Sequence, residues 1–257
     1  MSPALLERGD ALAVISLDAP PLNLFDREMI GTLQGAIGEV EASPPRALLV
    51  RAEGSVVSGG VDVHEFEGLS EAQAKDMFEG LIDIAQRVEA LPLPTVFAAH
   101  ALCLTAAFEL ALACDLLLAG ESAQFGLVEI VVGLTPGMGG TQRLAERAGS
   151  ARARELVMSG QLYDAATLER WNVVNRVRPD DGFDDAARRF AERLAAGPTR
   201  AHAATKEVVR AFLRGGVAEA DAATPALAGA LFETEDLKNA VRSFLADGPG
   251  KATYEGR

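Results

Sequence analysis

The stretch PTVFAAHALCLTAAFELALACDLLLAG, from Pro94 to Gly120, decides the fold that this sequence predicts. It opens on the apolar run PTVFAA, which is typical of a buried strand, and closes on a second such run, DLLLAG. Between them the segment TAAFELAL carries the alanines and leucines that favour a helix. A strand, a helix and a strand at this spacing indicate a βαβ unit, so we expect a parallel sheet.

The window Val96–Cys114 is apolar enough to resemble a membrane-spanning segment. His100 and Glu109 lie inside it, however, and Pro92 and Pro94 precede it without a closely flanking Lys or Arg. Membrane-spanning helices seldom hold ionisable groups and are usually flanked by basic residues. A buried strand followed by a buried helix explains the window better, and no membrane partner is expected.

The composition is that of a globular protein with an acidic surface. The chain has 257 residues, of which 49% are hydrophobic, and this is enough for one large core. Its formal net charge of -13 argues against a nucleic-acid partner, RNA included, because phosphates require basic patches. The N-terminal segment lacks the basic region and apolar run of a signal peptide. We therefore expect a cytoplasmic protein.

The cysteines and histidines do not indicate a metal site. Cys103 and Cys114 lie in apolar surroundings and are expected to be small buried core residues. The three histidines, His64, His100 and His202, show none of the spacings that are typical of zinc ligands. No metal is therefore expected.

The alternation of strands and helices continues outward from the central stretch. Upstream, strands are predicted at Ala11–Asp18 and Arg46–Ala52, and helices begin at the good N-cap residues Asp26 and Ser70. Downstream, nearly everything after residue 180 follows a helical pattern. The downstream predictions are helices at Gly140–Ala148, Ala151–Met158, Ala165–Trp171, Asp181–Ala195, Thr199–Leu213, Val217–Phe232 and Glu235–Ala246, and a last strand at VVNRV, residues 173–177. We expect an α/β sheet core with a helical C-terminal region.

Two glutamates stand out because each is the only charged residue in a long apolar stretch. Glu109 is alone in residues 101–114, and Glu129 is alone in residues 122–142. A buried carboxylate is costly unless it is paired, hydrogen-bonded or protonated, so both acids predict shifted pKa values and a division between proton donor and acceptor. A half-exposed or structurally paired acid remains the alternative for each, and spacing alone does not place the two together.

Two further features would bring backbone N–H groups to a site. The Gly pair in SGGVD, Ser58–Asp62, follows a strand and would let the backbone approach a ligand. The helix that begins at Thr105–Ala106 has free N–H groups that favour a developing negative charge. Donors from two such loops would form an oxyanion hole, although an ordinary turn and an ordinary helix start fit the same residues. The Gly-rich segment GMGGTQ, residues 137–142, lacks the G-x-G-x-x-G pattern, so no nucleotide site is predicted.

These motifs, in this order, resemble those of the crotonase, or enoyl-CoA hydratase/isomerase, superfamily. The resemblance covers nearly the whole chain and rests on five segments. They are PPLNLFD (20–26), VVSGGVDVHEF (56–66), LPLPTVFAAHALCLTAAFELALACDLLLA (91–119), AQFGLVEIVVGLTPGMGGTQRL (123–144) and LFETEDLKNAVRSFL (231–245).

The resemblance implies an α/β fold, a crotonase-like spiral of ββα turns over residues 1–195. A helical oligomerisation region would follow over residues 196–257 and build homotrimers, commonly paired into hexamers. The substrate would be an acyl-CoA thioester. No separate cofactor is implied, because coenzyme A is part of the substrate.

The same resemblance assigns roles to individual residues. Val61 and Ala106 would supply the two backbone N–H donors of an oxyanion hole, and Glu109 and Glu129 would be the catalytic acids. Glu109 would deprotonate the water, and Glu129 would give a proton to the α-carbon. The residues that would bind the substrate and line the path of coenzyme A are Val61, Asp62, Val63, His64 and Ala106.

Four segments depart from the superfamily's pattern. Thr105-Ala106-Ala107 stands in place of a glycine triplet, and His100-Ala101 stands in place of Asn-Gly. Gly59 replaces an alanine, and Val128 replaces a proline. We expect the first departure to alter the oxyanion hole, because side chains narrow the approach to the backbone.

The leading hypothesis is an enoyl-CoA hydratase that adds water to a trans-2-enoyl-CoA. The first alternative is another reaction of the same superfamily, such as Δ3,Δ2-enoyl-CoA isomerisation, which needs only the acid at Glu129. An alternative from another class is a catalytically silent acyl-CoA-binding protein, motivated by the changed segment Leu104–Ala107.

Overall fold

Nine strands form two sheets in the computed structural model, which describes residues 2–257 of the chain. In chain order they are β1 (Ala4–Arg8), β2 (Leu12–Leu17), β3 (Ala47–Ala52), β4 (Thr95–Ala99), β5 (Cys103–Leu104), β6 (Leu116–Gly120), β7 (Gln124–Gly126), β8 (Tyr163–Asp164) and β9 (Arg176–Arg178). The main sheet has the order β1-β2-β3-β4-β6-β9, and the small sheet has the order β5-β7-β8.

The main sheet is parallel except at one edge. Strands β2, β3, β4, β6 and β9 pair in parallel, whereas β1 runs antiparallel to β2. The stretch Pro94–Gly120 supplies β4 and β6, which are neighbours in the sheet with Val96 opposite Leu116. The parallel βαβ unit predicted from this stretch is therefore confirmed.

Nine α-helices accompany the sheets in the described residues, and the two helices with predicted caps, at Asp26 and Ser70, begin there. The helices are α1 (Arg27–Ala42), α2 (Glu71–Ala90), α3 (Thr105–Ala113), α4 (Gly140–Ala148), α5 (Ser150–Ser159), α6 (Ala165–Arg170), α7 (Phe183–Ala195), α8 (Thr199–Ala230) and α9 (Glu235–Asp247) in the described residues. The Asp26 carboxylate accepts from the Met29 N–H at 2.8 Å, and Ser70 forms a capping box with Gln73. Both contacts satisfy N–H groups that have no acceptor inside their own helix.

Helix α3 lies in the centre of the core. All nine of its residues are buried, and it packs against α2 and α4. A helix that is buried on every side is apolar all round, which explains why its sequence resembles a membrane span. In residues 2–257 the structure contains no helix that combines the length and the apolar character needed to cross a membrane.

The C-terminal region is helical, as predicted. Helix α8 is interrupted at Gly215 and Gly216, whose backbone is not helical and where Gly216 has φ +71°, so the predicted break between helices at Thr199–Leu213 and Val217–Phe232 is confirmed. Lys206 on α8 lies 2.8 Å from the Asp115 carboxylate at the start of β6 and fixes the helix to the core. The division into a core over residues 1–195 and an oligomerisation region after it stays a prediction.

Candidate active site

Glu109 lies on α3 with 2% of its surface exposed. Its Oε2 accepts hydrogen bonds from the backbone N–H groups of Met138 and Gly140, at 2.9 and 2.6 Å. These two groups lie at the N-terminus of α4, where N–H groups have no acceptor within the helix. The carboxyl group that the sequence placed near the start of its own helix is thus held by the start of a different helix.

The glycine run at residues 137–140 explains how the two donors reach Glu109. Gly139 has φ +93°, a left-handed conformation that glycine adopts without a steric cost. A Cβ at Gly140 would lie 2.6 Å from Glu109 Cγ and 3.0 Å from its Oε2. The sequence of this run excluded a nucleotide motif, but it did not predict that the run donates hydrogen bonds to a carboxyl group. The available signal was a run of glycines directly before a predicted helix.

Burial raises the pKa of Glu109 to about 7. The backbone donors and the positive charge of Arg143 act in the opposite direction, because they stabilise the ionised carboxylate. Arg143 is buried, donates to the Gly139 carbonyl at 3.2 Å, and lies 2.6 Å from the Glu89 carboxylate. Arg143 therefore supports the loop that holds Glu109, a role that the sequence analysis missed.

Glu129 begins a short 3-10 turn, Glu129–Val132, that follows β7. Both of its carboxyl oxygens are buried and have no hydrogen-bond partner among residues 2–257. Burial, and after it the negative charge of Glu109, raises the pKa of Glu129 to about 8. Because the influence of one charge on another's ionisation falls with distance, this effect indicates that the two carboxyl groups lie near each other.

The surroundings of the two acids decide which ionises first. Glu109 has two backbone donors, whereas Glu129 has none among the described residues, so Glu109 loses its proton first. The resulting negative charge then opposes the ionisation of Glu129. Both effects favour the state in which Glu109 is ionised and Glu129 holds the proton.

The loop Ser58–Asp62 is fixed by hydrogen bonds from two directions. The Ser58 hydroxyl donates to the Asn23 carbonyl at 2.7 Å and accepts from the Gly60 N–H at 2.9 Å. From the other side, the Leu104 N–H donates to the Ser58 carbonyl at 3.1 Å. The Asn23 side-chain amide donates to the preceding segment at the carbonyls of Glu53, Val56 and Val57. The loop is thereby held against the segment that leads into α3.

Val61 meets the first residue of α3. The Val61 N–H donates to Thr105 Oγ1 at 3.2 Å. Ala106, the next residue, is fully buried, and its N–H belongs to the first turn, where the helix offers no acceptor. Thr105 has φ +44°, which is unusual for a β-branched residue. A side chain at Gly60 would collide with Thr105 Oγ1, so this close approach requires glycine.

The three residues after Val61 lie at the outer end of this loop. Asp62 caps a 3-10 turn at Val63–Phe66, and its Oδ1 accepts from the His64 backbone at 3.0 Å and lies 2.7 Å from the His64 ring. The backbone and side-chain hydrogen bonds of His64 lower the pKa of Asp62. Val63 and His64 are exposed, in contrast to Glu109 and to the carboxyl oxygens of Glu129, which are buried.

The predicted site residues do not line the 740 Å³ cavity of the structure. A cavity of about 740 Å³ lies among β1, β2, α7 and the C-terminal tail. Its walls include none of the residues that the sequence predicts for the site. The site is defined instead by Glu109 and Glu129, and by the Val61–Thr105 contact at the start of the helix that carries Glu109.

Known proteins share both the sequence pattern and the fold. The family model described as enoyl-CoA hydratase/isomerase matches residues 7–256. A Mycobacterium bovis protein named probable enoyl-CoA hydratase is 31% identical over 245 residues, which cover 94% of each chain. The short-chain-enoyl-CoA hydratase of Clostridium acetobutylicum is 26% identical over 246 residues, with the same coverage. The crystal structure of an enoyl-CoA hydratase from Bacillus anthracis matches with a TM-score of 0.91 at 25% identity, covering 99% of this chain and 100% of that one. Since the family model matches nearly the full length, this chain belongs to the enoyl-CoA hydratase/isomerase family.

Proposed function

We propose that the protein is an enoyl-CoA hydratase that adds water to a trans-2-enoyl-CoA thioester. The observation that carries the proposal is the pairing of Glu109 with Glu129, two buried acids whose pKa values are raised to about 7 and about 8. A pair that shares one proton near neutral pH holds a base and an acid together. Addition of water across a double bond requires both at the same time.

The roles of the two acids follow from their order of ionisation. Glu109, which ionises first, takes a proton from the water as its oxygen bonds to the β-carbon. The electron pair of the double bond moves toward the thioester, and the α-carbon takes the proton held by Glu129. The starting state is restored when Glu109 loses its proton and Glu129 regains one, by direct transfer or by exchange through solvent.

The thioester oxygen becomes negatively charged during this reaction. The backbone N–H groups of Val61 and Ala106 are the donors that we assign to that charge. In enzymes with such donors, removing one typically costs about 2.7–4 kcal/mol of transition-state stabilisation. We assign Asp62, Val63 and His64, in the exposed turn beside Val61, to the binding of coenzyme A.

The family also supports a proposal for the assembly. We propose that the chain forms a homotrimer or a hexamer, and that α8 and α9 provide the contacts. Its location in the cytoplasm stays a prediction from the sequence.

Replacement of Glu109 by Gln tests the hydratase proposal. Gln keeps the size of the side chain but cannot take a proton, so we expect hydration of crotonyl-CoA to fall by about 10²–10⁴-fold. The assay is the loss of enoyl absorbance over several chain lengths. The control is Glu28→Gln on the exposed face of α1, which should retain full activity. Undiminished hydration of crotonyl-CoA by the Glu109→Gln protein would contradict the two-acid mechanism.

A second candidate is Δ3,Δ2-enoyl-CoA isomerisation. It is favoured by one observation, the absence of a hydrogen-bond partner for either oxygen of Glu129 among the described residues, because a single acid can then move a proton between two carbons. For an isomerase we expect Glu129→Gln to abolish the activity and Glu109→Gln to spare it. For a hydratase both replacements abolish hydration.

A further inference from the structure

The hydroxyl of Thr105 stands where an oxyanion hole would need free space. Its Oγ1 accepts the Val61 N–H at 3.2 Å, and this N–H is one of the two donors that we assign to the thioester oxygen. An N–H carries a single hydrogen, so a substrate oxygen and the Thr105 oxygen compete for it. The residue is 8% exposed, which leaves the side chain little room to turn away.

The backbone of Thr105 adopts a conformation that is unusual for its residue type. Its φ of +44° lies in the left-handed region, where the backbone of a β-branched residue is strained. The loop accommodates the hydroxyl because residue 60 is glycine, and a Cβ there would collide with Oγ1. A glycine at position 105 would avoid both the strain and the occupied donor.

We propose that Thr105 is a specificity-determining residue whose hydroxyl occupies the Val61 N–H and competes with the carbonyl oxygen of an acyl-CoA thioester. This inference rests on the proposed function, since it takes Val61 as a donor to the thioester. The hydroxyl satisfies a donor that would otherwise lie unpaired, and each thioester that binds must displace it. Thr105 therefore lowers the affinity of the site for the thioester group in particular, and leaves its affinity for the rest of coenzyme A unchanged.

Three replacements separate the hydroxyl from the rest of the side chain. Thr105→Ala removes the competing oxygen, and Thr105→Ser keeps it. Thr105→Gly removes the oxygen and also relieves the left-handed backbone, so it provides a well-folded second test if the alanine protein is unstable. Thr32→Ala on α1 is the matched control, because it removes a hydroxyl that bonds only to backbone carbonyls of its own helix.

The test compares two ligands that differ only at the carbonyl. Butyryl-CoA is a saturated thioester that cannot be hydrated, and S-butyl-CoA is the thioether that lacks the carbonyl oxygen. Calorimetric titration should show that Thr105→Ala and Thr105→Gly bind butyryl-CoA ~2- to 12-fold more tightly than the wild type, which corresponds to one net hydrogen bond. The affinity for S-butyl-CoA should not change, and Thr105→Ser and Thr32→Ala should resemble the wild type with both ligands.

Two results would overturn the inference. Weaker binding of butyryl-CoA by Thr105→Ala would mean that the hydroxyl donates to the thioester oxygen instead of competing with it. An equal change for both ligands would mean that Thr105 acts only on the structure of the loop. The hydration assay on the same proteins tests the proposed function separately, because a protein can bind the thioester more tightly on loss of the hydroxyl and still fail to hydrate crotonyl-CoA.

Discussion

Glu109 and Glu129 differ in their hydrogen-bond donors more than in their burial. Both are surrounded by apolar residues, and burial is the largest cause of the raised pKa in each. Only Glu109 is met by two backbone N–H groups, at 2.9 and 2.6 Å. A base and an acid of the same residue type are thus distinguished by a loop from another helix.

The protonation of this pair predicts a bell-shaped dependence of kcat/KM on pH. The base must be ionised, so activity should fall as the pH drops below the pKa of Glu109, about 7. The acid must be protonated, so activity should also fall as the pH rises above the pKa of Glu129, about 8. The measurement is kcat/KM for crotonyl-CoA from pH 5 to pH 10, which reports groups of the free enzyme. The Glu28→Gln protein should give the same curve, and a flat profile between pH 5 and pH 7 would contradict the assignment of Glu109 as the base.

At the scale of residues, isolation was a signal that the sequence contained. The two glutamates could be selected because each is the only charge in a long apolar stretch, and the structure brings them together. The Val61–Thr105 hydrogen bond could not be selected in this way, because it joins residues 44 positions apart and depends on a left-handed backbone at Thr105. The resemblance to a family indicated that position 105 was unusual. The hydrogen bond from the Val61 N–H to the Thr105 hydroxyl is visible only in the three-dimensional structure.

The segment that enters α4 acts on the site as one element. Its glycines turn the chain so that the N–H groups of Met138 and Gly140 point at Glu109, and Arg143 fixes the Gly139 carbonyl from behind. The sequence predicted the helix Gly140–Ala148 with its observed bounds. The sequence could not predict that this N-terminus donates to Glu109. A predicted helix start shows that backbone N–H groups are free, but it does not identify their acceptor.

Gly140→Ala tests whether this element positions the base. The N–H of residue 140 remains, and its φ is not in the left-handed region, but the new Cβ would lie 2.6 Å from Glu109 Cγ. The carboxyl group must shift, and we expect kcat for hydration to fall by about 10²-fold, as small misplacements of catalytic groups do. Gly35→Ala on α1 is the control, because its Cβ meets nothing within 4 Å. The control should be active and slightly more stable by thermal unfolding, and an equally active Gly140→Ala protein would show that Glu109 tolerates the shift.

Most of the strands that the sequence did not predict are short. Strands β5, β7 and β8 have two or three residues each, which is too few to produce a hydrophobic period. Strand β1 was also missed, although β2 beside it was predicted. The small strands matter for the site, because β5 ends at Leu104 and therefore sets where α3, with Thr105 and Glu109, begins.

The whole molecule follows the crotonase-like architecture that the resemblance implied, and the match to the Bacillus anthracis enzyme structure confirms that fold. Periodicity alone predicted a parallel sheet followed by helices, and it did not predict a spiral or a second sheet. Both depend on how distant segments meet, for example where Ser58 forms a bridge with Cys103. The resemblance to the family predicted this overall architecture, which local sequence patterns cannot predict.

The C-terminal helices expose more apolar surface than a single chain needs. Exposed large apolar side chains of α8, α9 and the turn between them are Val209, Phe212, Leu213, Val217, Phe232, Val241, Phe244 and Leu245. Leu245 is 80% exposed and Phe244 is 59% exposed, so neither supports the core of its own chain. Large exposed apolar surfaces are typical of regions that bind another protein.

We therefore expect the double replacement Phe244→Glu and Leu245→Glu to convert an assembly of three or six chains into single chains. The new charges would have to lose their hydration at a chain–chain contact, which is strongly unfavourable, whereas on the isolated chain they lie in water. Sedimentation equilibrium of both proteins measures the mass directly, and far-ultraviolet circular dichroism checks that α9 remains folded. The control is Leu5→Glu on β1, a replacement at an exposed leucine outside the C-terminal helices, which should leave the mass unchanged. A wild-type protein that sediments as one chain would contradict the proposed assembly, and a double variant that keeps the mass of three or six chains would place the contacts elsewhere than α9.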